Sequence, residues 1–344
     1  MAKEWEKREF FRQPAYIHRC LEENPTTFVT TAAIGSLALL ASAVLCIRHS
    51  RSLDTRPLGL LRTLYHGILA FPIVWAFFSW ASLLTPLARP LAELFMGQSE
   101  AFALHSFMVI LFMLVSVESL KRREPGPDEV SASSLDARRT VIQTLQEYGP
   151  QKYFAVPPFG CCFKCCTEAH HITAKQLLWV SRLVRQYVFV QVFMNAYFLW
   201  AKETLDPKMW DVGKWSEPIL KLSGMLAMYG LFVMYTMTYD LLRNWNTTKK
   251  FTAVKLMVAL GILQGKLFAF LVPVLSPERN CWVDPTHPKD LDRLVSFWMT
   301  FVTLLETVPM AWLITKAFPA SDVSDYPLKQ MDLLELELRA LAQP

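Results

Sequence analysis

Long apolar runs, separated by polar connections, dominate the pattern along this chain. A helix that crosses a bilayer needs about 20 mostly apolar residues, and seven stretches approach that length. They are Phe28–Ile47, Leu64–Ala88, Ala101–Val117, Leu178–Ala201, Leu222–Tyr239, Phe251–Leu275 and Leu294–Phe318. The pattern therefore predicts an all-α membrane protein, a bundle of seven transmembrane helices over residues 28–318.

The distribution of Lys and Arg predicts the orientation of this bundle. Basic residues are more numerous in the connections 1–2, 3–4 and 5–6 and in the tail than in the other connections, and basic connections stay in the cytoplasm. We therefore predict an extracellular segment 1–27 and a cytoplasmic tail 319–344 that carries a short amphipathic helix. Segment 1–27 mixes acidic and basic residues and has no apolar core, which differs from a signal peptide.

The connection between helices 3 and 4, residues 121–176, contains a dense cysteine patch at 161–166. Its members are Cys161, Cys162, Cys165 and Cys166. Clustered thiols at the cytoplasmic face of a membrane protein favour palmitoylation. A metal site is an alternative, because Cys162 and Cys165 have ligand spacing and histidines follow them. Reduced thiols without a role are the third interpretation.

Ionisable and amide side chains interrupt the predicted spans, and such groups usually face a bundle interior or a wet cavity. Lys255 and Lys266 lie three helical turns apart on one face of helix 6, and Glu306 of helix 7 is a natural counter-charge. These residues are candidates for a solute path, together with Arg185, Asn195 and Gln264. The alternative is structural: lysines that reach the interface or pair with Glu306, and amides that hydrogen-bond between helices.

Composition narrows the function. The chain is 53% hydrophobic and 19% charged, below the roughly 25% charged residues of soluble domains. No nucleotide-binding glycine loop, hydrolase motif or nucleic-acid footprint is visible, so we predict no enzyme, no cofactor, no bound metal and no nucleic-acid partner. Cys20 and Cys281 both fall on the predicted outside, where a disulfide between them is one alternative and two free thiols the other.

Several motifs resemble the organic solute transporter alpha family, which includes the transmembrane protein 184 group. A K-F-x-x-x-K pattern followed by Gln264 begins at Lys250, and helix 2 carries an S-W-x-S-L segment at 79–83. The entry into helix 4 and the middle of helix 7 are also similar, and so is the cysteine patch. The residues are Pro72, Ile73, Arg185, Gln186, Tyr187, Leu305 and Glu306.

The resemblance implies seven transmembrane helices with the N-terminus outside. It implies facilitated, ATP- and sodium-independent transport of steroid-like organic anions, such as bile acids and conjugated sterols. It also implies palmitoylated cysteines, contact with membrane lipid, a single-span beta subunit or other oligomeric partner, and a location at the plasma membrane, basolateral in polarised cells.

Two other functions fit a seven-helix chain. A receptor or signalling scaffold would use the 3–4 connection and the tail as docking surfaces, although no D-R-Y motif ends helix 3 and no N-P-x-x-Y motif occurs in helix 7. A membrane-trafficking protein without transport activity is the other alternative. Flux of a labelled sterol conjugate distinguishes a transporter from both.

Overall fold

The fold is helical throughout the part of the chain that the computed structural model describes. The described residues are 25–54, 60–85, 89–122, 142–147, 149–150, 152–156, 169, 171–203, 216–256, 267–268, 270 and 289–324. Within them the helices are α1 (Pro25–Asp54), α2 (Leu60–Leu84), α3 (Arg89–Arg122), α4 (Ala174–Glu203), α5 (Ser216–Thr238), α6 (247–256), α7 (Lys289–Ala317) and α8 (Ser321–Ser324).

Helices α1 to α5 and α7 lie where the apolar runs predict spans, and α6 covers the start of the sixth run. Five helices are long and apolar enough to cross a membrane: Pro25–Asp54, Leu61–Leu84, Leu91–Ser119, Pro218–Thr238 and Val295–Ala317. Helix α4 has 30 residues but carries more polar and charged side chains. The chain is therefore an integral helical membrane protein, while the count of seven and the orientation stay predictions.

Three helix ends differ from the predicted bounds, and each of them has a local cause. Helix α2 stops at Leu84, because Thr85 precedes Pro86 and a residue before proline disfavours the helical conformation. Helix α3 begins at Arg89 instead of Ala101, and an ion pair one turn apart joins Arg89 to Glu93 at 2.8 Å. Helix α4 starts with a reciprocal capping box in which Thr173 and Gln176 bond each other's backbone N–H groups.

The described chain divides into two compact units. The first unit comprises Met1–His49, Leu69–Glu100 and Lys255–Thr315. Its buried apolar cluster brings together α1, α2 and α7 through Phe28, Ala38, Ala76, Leu83, Phe297 and Leu304. Two polar contacts join the same helices, because Trp80 donates to Ser36 at 2.9 Å and the hydroxyls of Ser42 and Thr307 lie 2.9 Å apart.

The second unit comprises Ser50–Ile68, Ala101–Val254 and Lys316–Pro344. Aromatic rings fill its core, where Phe107 packs near Phe251 and Phe318, each with ring centroids 6.3 Å apart. His66 contacts both Ser50, at 3.1 Å, and Asp54, at 3.3 Å. That ring therefore joins the end of α1 to the start of α2.

Some helix faces expose large apolar side chains instead of polar ones. On α1, Leu37 is 66% exposed and Val44 is 61% exposed; on α4, Phe193 is 69% exposed. Helix faces that expose several large apolar side chains are unusual on soluble proteins. Such exposure fits contact with lipid, in agreement with the span predictions.

Candidate functional site

Helix α4 carries an arginine well inside its length. Arg185 lies eleven residues beyond Ala174, which corresponds to about 16 Å along the helix axis. Its side chain is half-buried and makes no hydrogen bond or ion pair with any residue that the structure describes. By contrast, Arg182, one turn earlier, is exposed. A permanently charged guanidinium that is partly removed from water normally has a partner.

Two amides follow on the same helix. Gln191 is only 7% exposed and its Oε1 atom is buried without a hydrogen-bond partner in the structure. Asn195 lies one turn further on the same face, and its Nδ2 atom is likewise buried and unpartnered. Burying an amide without a hydrogen bond is costly. These groups therefore have capacity for water or a solute.

Helix α3 contributes a fourth polar group. His105 lies sixteen residues beyond Arg89, at the middle of this 34-residue helix. Its Nδ1 atom is buried without a hydrogen-bond partner, and its ring is close enough to Arg185 for the guanidinium charge to act on it. We name Arg185, Gln191, Asn195 and His105 the polar row. All four belong to the second unit.

A firm contact with α5 fixes the rotation of α4. The Gln186 amide donates to the Ser223 carbonyl at 3.2 Å, and the Ser223 hydroxyl donates to Gln186 Oε1 at 3.0 Å. At Gly230 of α5, an added Cβ would lie 3.2 Å from the Leu183 Cβ and from the Val180 carbonyl oxygen. Close approach at this glycine and the reciprocal hydrogen bonds thus hold α4 in one rotational position.

The second unit also contains a basic residue that has both a counter-charge and hydrogen-bond acceptors. Lys250 is completely buried; its ammonium group donates to the Trp245 carbonyl at 2.6 Å and to Asp322 Oδ2 at 2.5 Å. The indole of Trp245 in turn donates to Glu118 at 3.3 Å. Burial lowers the pKa of Lys250 below its ordinary value of 10.5, while Asp322 opposes that shift. We name Lys250 and Asp322 the buried ion pair.

In sequence, Asp240 is a candidate partner for Arg243, Lys249 or Lys250, the last of which lies ten residues away. The structure pairs Lys250 with Asp322 instead, 72 residues away. The spacing of residues near Lys250 in the sequence does not predict that contact. Only the K-F motif that begins at Lys250 marked the residue as unusual.

A small polar cleft lies within the first unit. Its volume is about 60 Å³, and it is lined by Ser79, Ser82, Arg89, Ala92, Glu93, Met96, Met299, Thr300 and Thr303. The Arg89 and Glu93 charges cancel at 2.8 Å, whereas the buried Ser82 hydroxyl has no hydrogen-bond partner. A space of this size holds a few water molecules, since pockets for drug-sized ligands measure roughly 300–1,000 Å³.

The other predicted site residues have varied positions. Lys255 is exposed on α6, and Glu306 is half-buried in α7. Lys266, Gln264, the cysteine patch and the pair Cys20 and Cys281 lie outside the described residues, as does the tail beyond Ser324. Within the described residues, no three His, Cys, Asp or Glu side chains come together to hold a metal ion. Of the predicted path residues, the polar row therefore includes Arg185 and Asn195.

Sequence reasoning missed two members of the polar row. Neither His105 nor Gln191 was among the candidates predicted for the path. The available signal for Gln191 was its spacing of four residues from Asn195, which places both amides on one face of a helix. No such signal exists for His105, because the Arg185 charge that acts on it lies eighty residues away in the sequence, on another helix.

Comparison with known proteins agrees with these features. No solved structure matches the chain. The sequence model of the family described as organic solute transporter Ostalpha matches residues 27–323, a range that includes every described helix except the first residues of α1 and the last residue of α8. The match covers far more than half of the chain, and the chain therefore belongs to the organic solute transporter alpha family.

Proposed function

We propose that this protein is a facilitated transporter of steroid-like organic anions, such as bile acids and conjugated sterols, and that it requires neither ATP nor sodium. Membership of a solute transporter family supports the transport role. The observation that carries the anion preference is Arg185, a guanidinium within a membrane helix that lacks a carboxylate partner among the described residues.

The charge argument rests on the cost of an uncompensated ion in a span. Arg stays protonated at any physiological pH, so Arg185 cannot become neutral to reduce that cost. A passing organic anion would supply the missing counter-charge, and a cation would be repelled. Lys255, Lys266, Glu306 and Gln264 are further candidates for the path in this proposal.

The steroid skeleton of the solute is apolar, so it also requires an apolar environment along its path. The cleft of the first unit, at about 60 Å³, is too small for such a solute. Transport of a steroid therefore requires either a conformation in which the helices separate, or a route along a lipid-facing surface. Exposed side chains such as Phe189 and Phe193 of α4 provide apolar surface on the helix that carries Arg185.

The proposal includes an arrangement in the membrane. We propose seven crossings with the N-terminus outside and the tail in the cytoplasm at the plasma membrane, basolateral in polarised cells. The cysteine patch would then be palmitoylated at the inner leaflet, where each acyl chain contributes about 0.8 kcal/mol per buried CH₂. A single-span beta subunit or a second copy of the chain would complete the transporter.

Bidirectional flux of a labelled sterol sulfate in cells that express this chain tests the proposal. The chain is expressed alone and with a candidate single-span subunit, and surface labelling verifies delivery. We expect saturable uptake and efflux that persist after sodium replacement and ATP depletion. Surface protein without flux in either condition would contradict the proposal and favour a receptor or trafficking function.

Palmitoylation has its own test. Cells are fed an alkyne-bearing palmitate, and the label on the wild-type chain is compared with that on a variant in which all four cysteines of the patch are replaced by Ala. Loss of label in the variant supports acylation there. Equal labelling would move the acylation to another cysteine, such as the buried Cys46.

A further inference from the structure

We propose that the small cleft of the first unit binds the hydroxyl group of an uncharged sterol of the bilayer, and that the sterol skeleton lies along exposed aromatic side chains beside the cleft. This occupant differs from the anionic solute of the proposed transport function, and the site does not depend on that function. The cleft is lined by residues of α2, α3 and α7, three helices apolar enough to cross a membrane. All of these residues belong to the first unit.

The volume of the cleft limits the size of the group that it can bind. The cleft measures about 60 Å³, and one water molecule requires roughly 10–15 Å³ of such space. The cleft therefore has room for a hydroxyl group and the ring carbon atoms next to it, but not for a sterol skeleton. An amphiphile bound here keeps its apolar part outside the cleft.

The hydrogen-bonding groups of the cleft select a hydroxyl group. The Ser82 hydroxyl is buried without a hydrogen-bond partner in the structure, so it can donate to a ligand or accept from one. The Thr300 hydroxyl donates to the Ser296 carbonyl at 2.8 Å, which leaves the Thr300 oxygen as an acceptor. A ligand hydroxyl can donate to Thr300 and accept from Ser82 at the same time, whereas a sulfate group only accepts and an ammonium group only donates.

The charges at the cleft select an uncharged ligand. Arg89 and Glu93 lie one turn apart on α3 and form an ion pair at 2.8 Å, so their charges largely cancel. The Glu93 carboxylate would repel an anion, and the Arg89 guanidinium would repel a cation. A neutral hydroxyl group meets neither repulsion. The remaining side chains of the lining are also uncharged, and they are Ser79, Ala92, Met96, Met299 and Thr303.

Aromatic side chains next to the cleft provide a surface for the sterol skeleton. Phe78 precedes Ser82 by four residues on α2, and Phe95 follows Ala92 by three residues on α3, so each ring neighbours a cleft residue on its own helix. The two rings stack with centroids 4.7 Å apart and 8° between their planes. Phe95 is 43% exposed and Phe77 is 48% exposed. These side chains present flat apolar surface of the kind that a rigid ring system covers.

The positions along the helices match the orientation of a sterol in a bilayer. Ser82 lies two residues before the end of α2, and Arg89 is the first residue of α3. Phe78 and Phe95 lie four and six residues further into these helices, which corresponds to about 6 Å and 9 Å along the axes. A ligand with its hydroxyl group in the cleft therefore has its skeleton deeper in the hydrocarbon, as an amphiphile at a membrane interface does.

Photolabelling of the purified, full-length chain in liposomes tests the site. The probe is a sterol with a diazirine in its ring system and an alkyne on its side chain. The competitors are the unlabelled sterol, its deoxy derivative and its sulfate ester. We expect label on peptides of α2 and α3, and competition about threefold to tenfold weaker for the deoxy derivative, which lacks the hydrogen-bonding group. The sulfate ester should also compete less well than the sterol, because it cannot donate to Thr300 and Glu93 repels it.

Single variants connect the label to the cleft. Ser82→Ala removes the unpartnered hydroxyl and should reduce the advantage of the sterol over the deoxy derivative by about threefold. Ala92→Val adds two methyl groups at a buried position of the lining and should reduce labelling itself. Ser116→Ala is the matched control on α3, because the Ser116 hydroxyl donates to the Phe112 carbonyl of its own helix at 3.0 Å. This control should change neither quantity.

The preference for the hydroxyl group decides between the outcomes. Equal competition by the sterol and its deoxy derivative would overturn the site, and so would label confined to peptides outside α2, α3 and α7. An unchanged preference in Ser82→Ala would also contradict it, even if Ala92→Val fails to fold. The experiment requires no transport, so a failure of the proposed transport function is recognised separately, from the flux of the sterol sulfate.

Discussion

Two basic side chains of the second unit, Lys250 and Arg185, lie away from the surface in different surroundings. Lys250 is completely buried, and both a backbone carbonyl and the Asp322 carboxylate accept its hydrogen bonds. Arg185 is half-buried and has neither a hydrogen bond nor a carboxylate partner among the described residues.

The difference is that one ion is compensated within the described residues and the other is not. The buried ion pair is complete without a ligand, so it fixes α8 to α6. The polar row is incomplete, and an incomplete polar group costs stability. Proteins often retain such a cost where activity requires it, which agrees with the role proposed for Arg185 in the anion preference.

The largest expected effect concerns the buried ion pair. Asp322→Asn should lower the free energy of unfolding by about 3–5 kcal/mol, because it leaves a buried ammonium group without its counter-charge. Fluorescence-detected size exclusion before and after heating measures the loss of folded protein. Glu93→Gln is the control: its partner Arg89 is 37% exposed, so its effect should be about 0–1 kcal/mol.

A double variant sharpens that result. Lys250→Met combined with Asp322→Leu removes both charges and should recover most of the folded protein, since apolar replacement of a buried pair is often neutral or stabilising. Equal melting temperatures for Asp322→Asn and wild type would show that the pair contributes nothing, and the contrast with Arg185 would disappear.

The next effect concerns the support of the polar row. Gly230→Ala should destabilise the chain by about 1–3 kcal/mol, because the new Cβ would lie 3.2 Å from the Val180 carbonyl oxygen and the Leu183 Cβ. Gly224→Ala is the matched control, as its Cβ would meet Tyr187 at an ordinary 3.4 Å. Identical melting temperatures for the two variants would contradict a close α4–α5 contact at Gly230.

For a substitution at Arg185 we expect a change in unfolding free energy that is zero or of the opposite sign. Arg185→Leu should leave the unfolding free energy unchanged or raise it by about 0.5–2 kcal/mol, because it removes an uncompensated charge from a span. The same variant should lose sulfate flux. A clear loss of thermal stability in detergent would instead indicate that Arg185 has a structural partner, and would make it resemble Lys250.

The smallest effect depends on pH. Because burial lowers the pKa of Lys250, the folded protein binds this proton less tightly than the unfolded chain does. The contribution is fully present above the unfolded value of 10.5 and is lost as pH falls through the lower, folded value. Wild type should therefore gain stability relative to Lys250→Met as pH rises toward 10.5, as melting curves at several pH values would reveal. A difference that does not vary with pH would contradict the shift.

The helices and the presence of polar residues within them were predictable from sequence. Apolar runs of about 20 residues predict membrane helices because satisfying backbone hydrogen bonds in lipid is a local requirement. That requirement located helices α1 to α5 and α7, and it marked Arg185 and Asn195 as candidates for the solute path, a role that stays a prediction. Helix ends were less predictable: α3 starts twelve residues early, since an ion pair such as Arg89–Glu93 supports helix without apolar character.

Tertiary structure decides which basic side chains have a counter-charge or a hydrogen-bond partner. Lys250, Arg185 and Lys255 are all basic residues at or within predicted spans. Their neighbours in sequence do not indicate which of them has a counter-charge. Lys250 is satisfied because folding brings Asp322 to it from 72 residues away, Lys255 is exposed, and Arg185 makes no hydrogen bond or ion pair within the described residues. The sequence alone determines which side chains are costly to place in a membrane, because the free-energy cost of removing a polar group from water is a property of that group. Only the packing of distant helices determines which of them receive a partner, because a hydrogen bond requires two groups within about 3 Å.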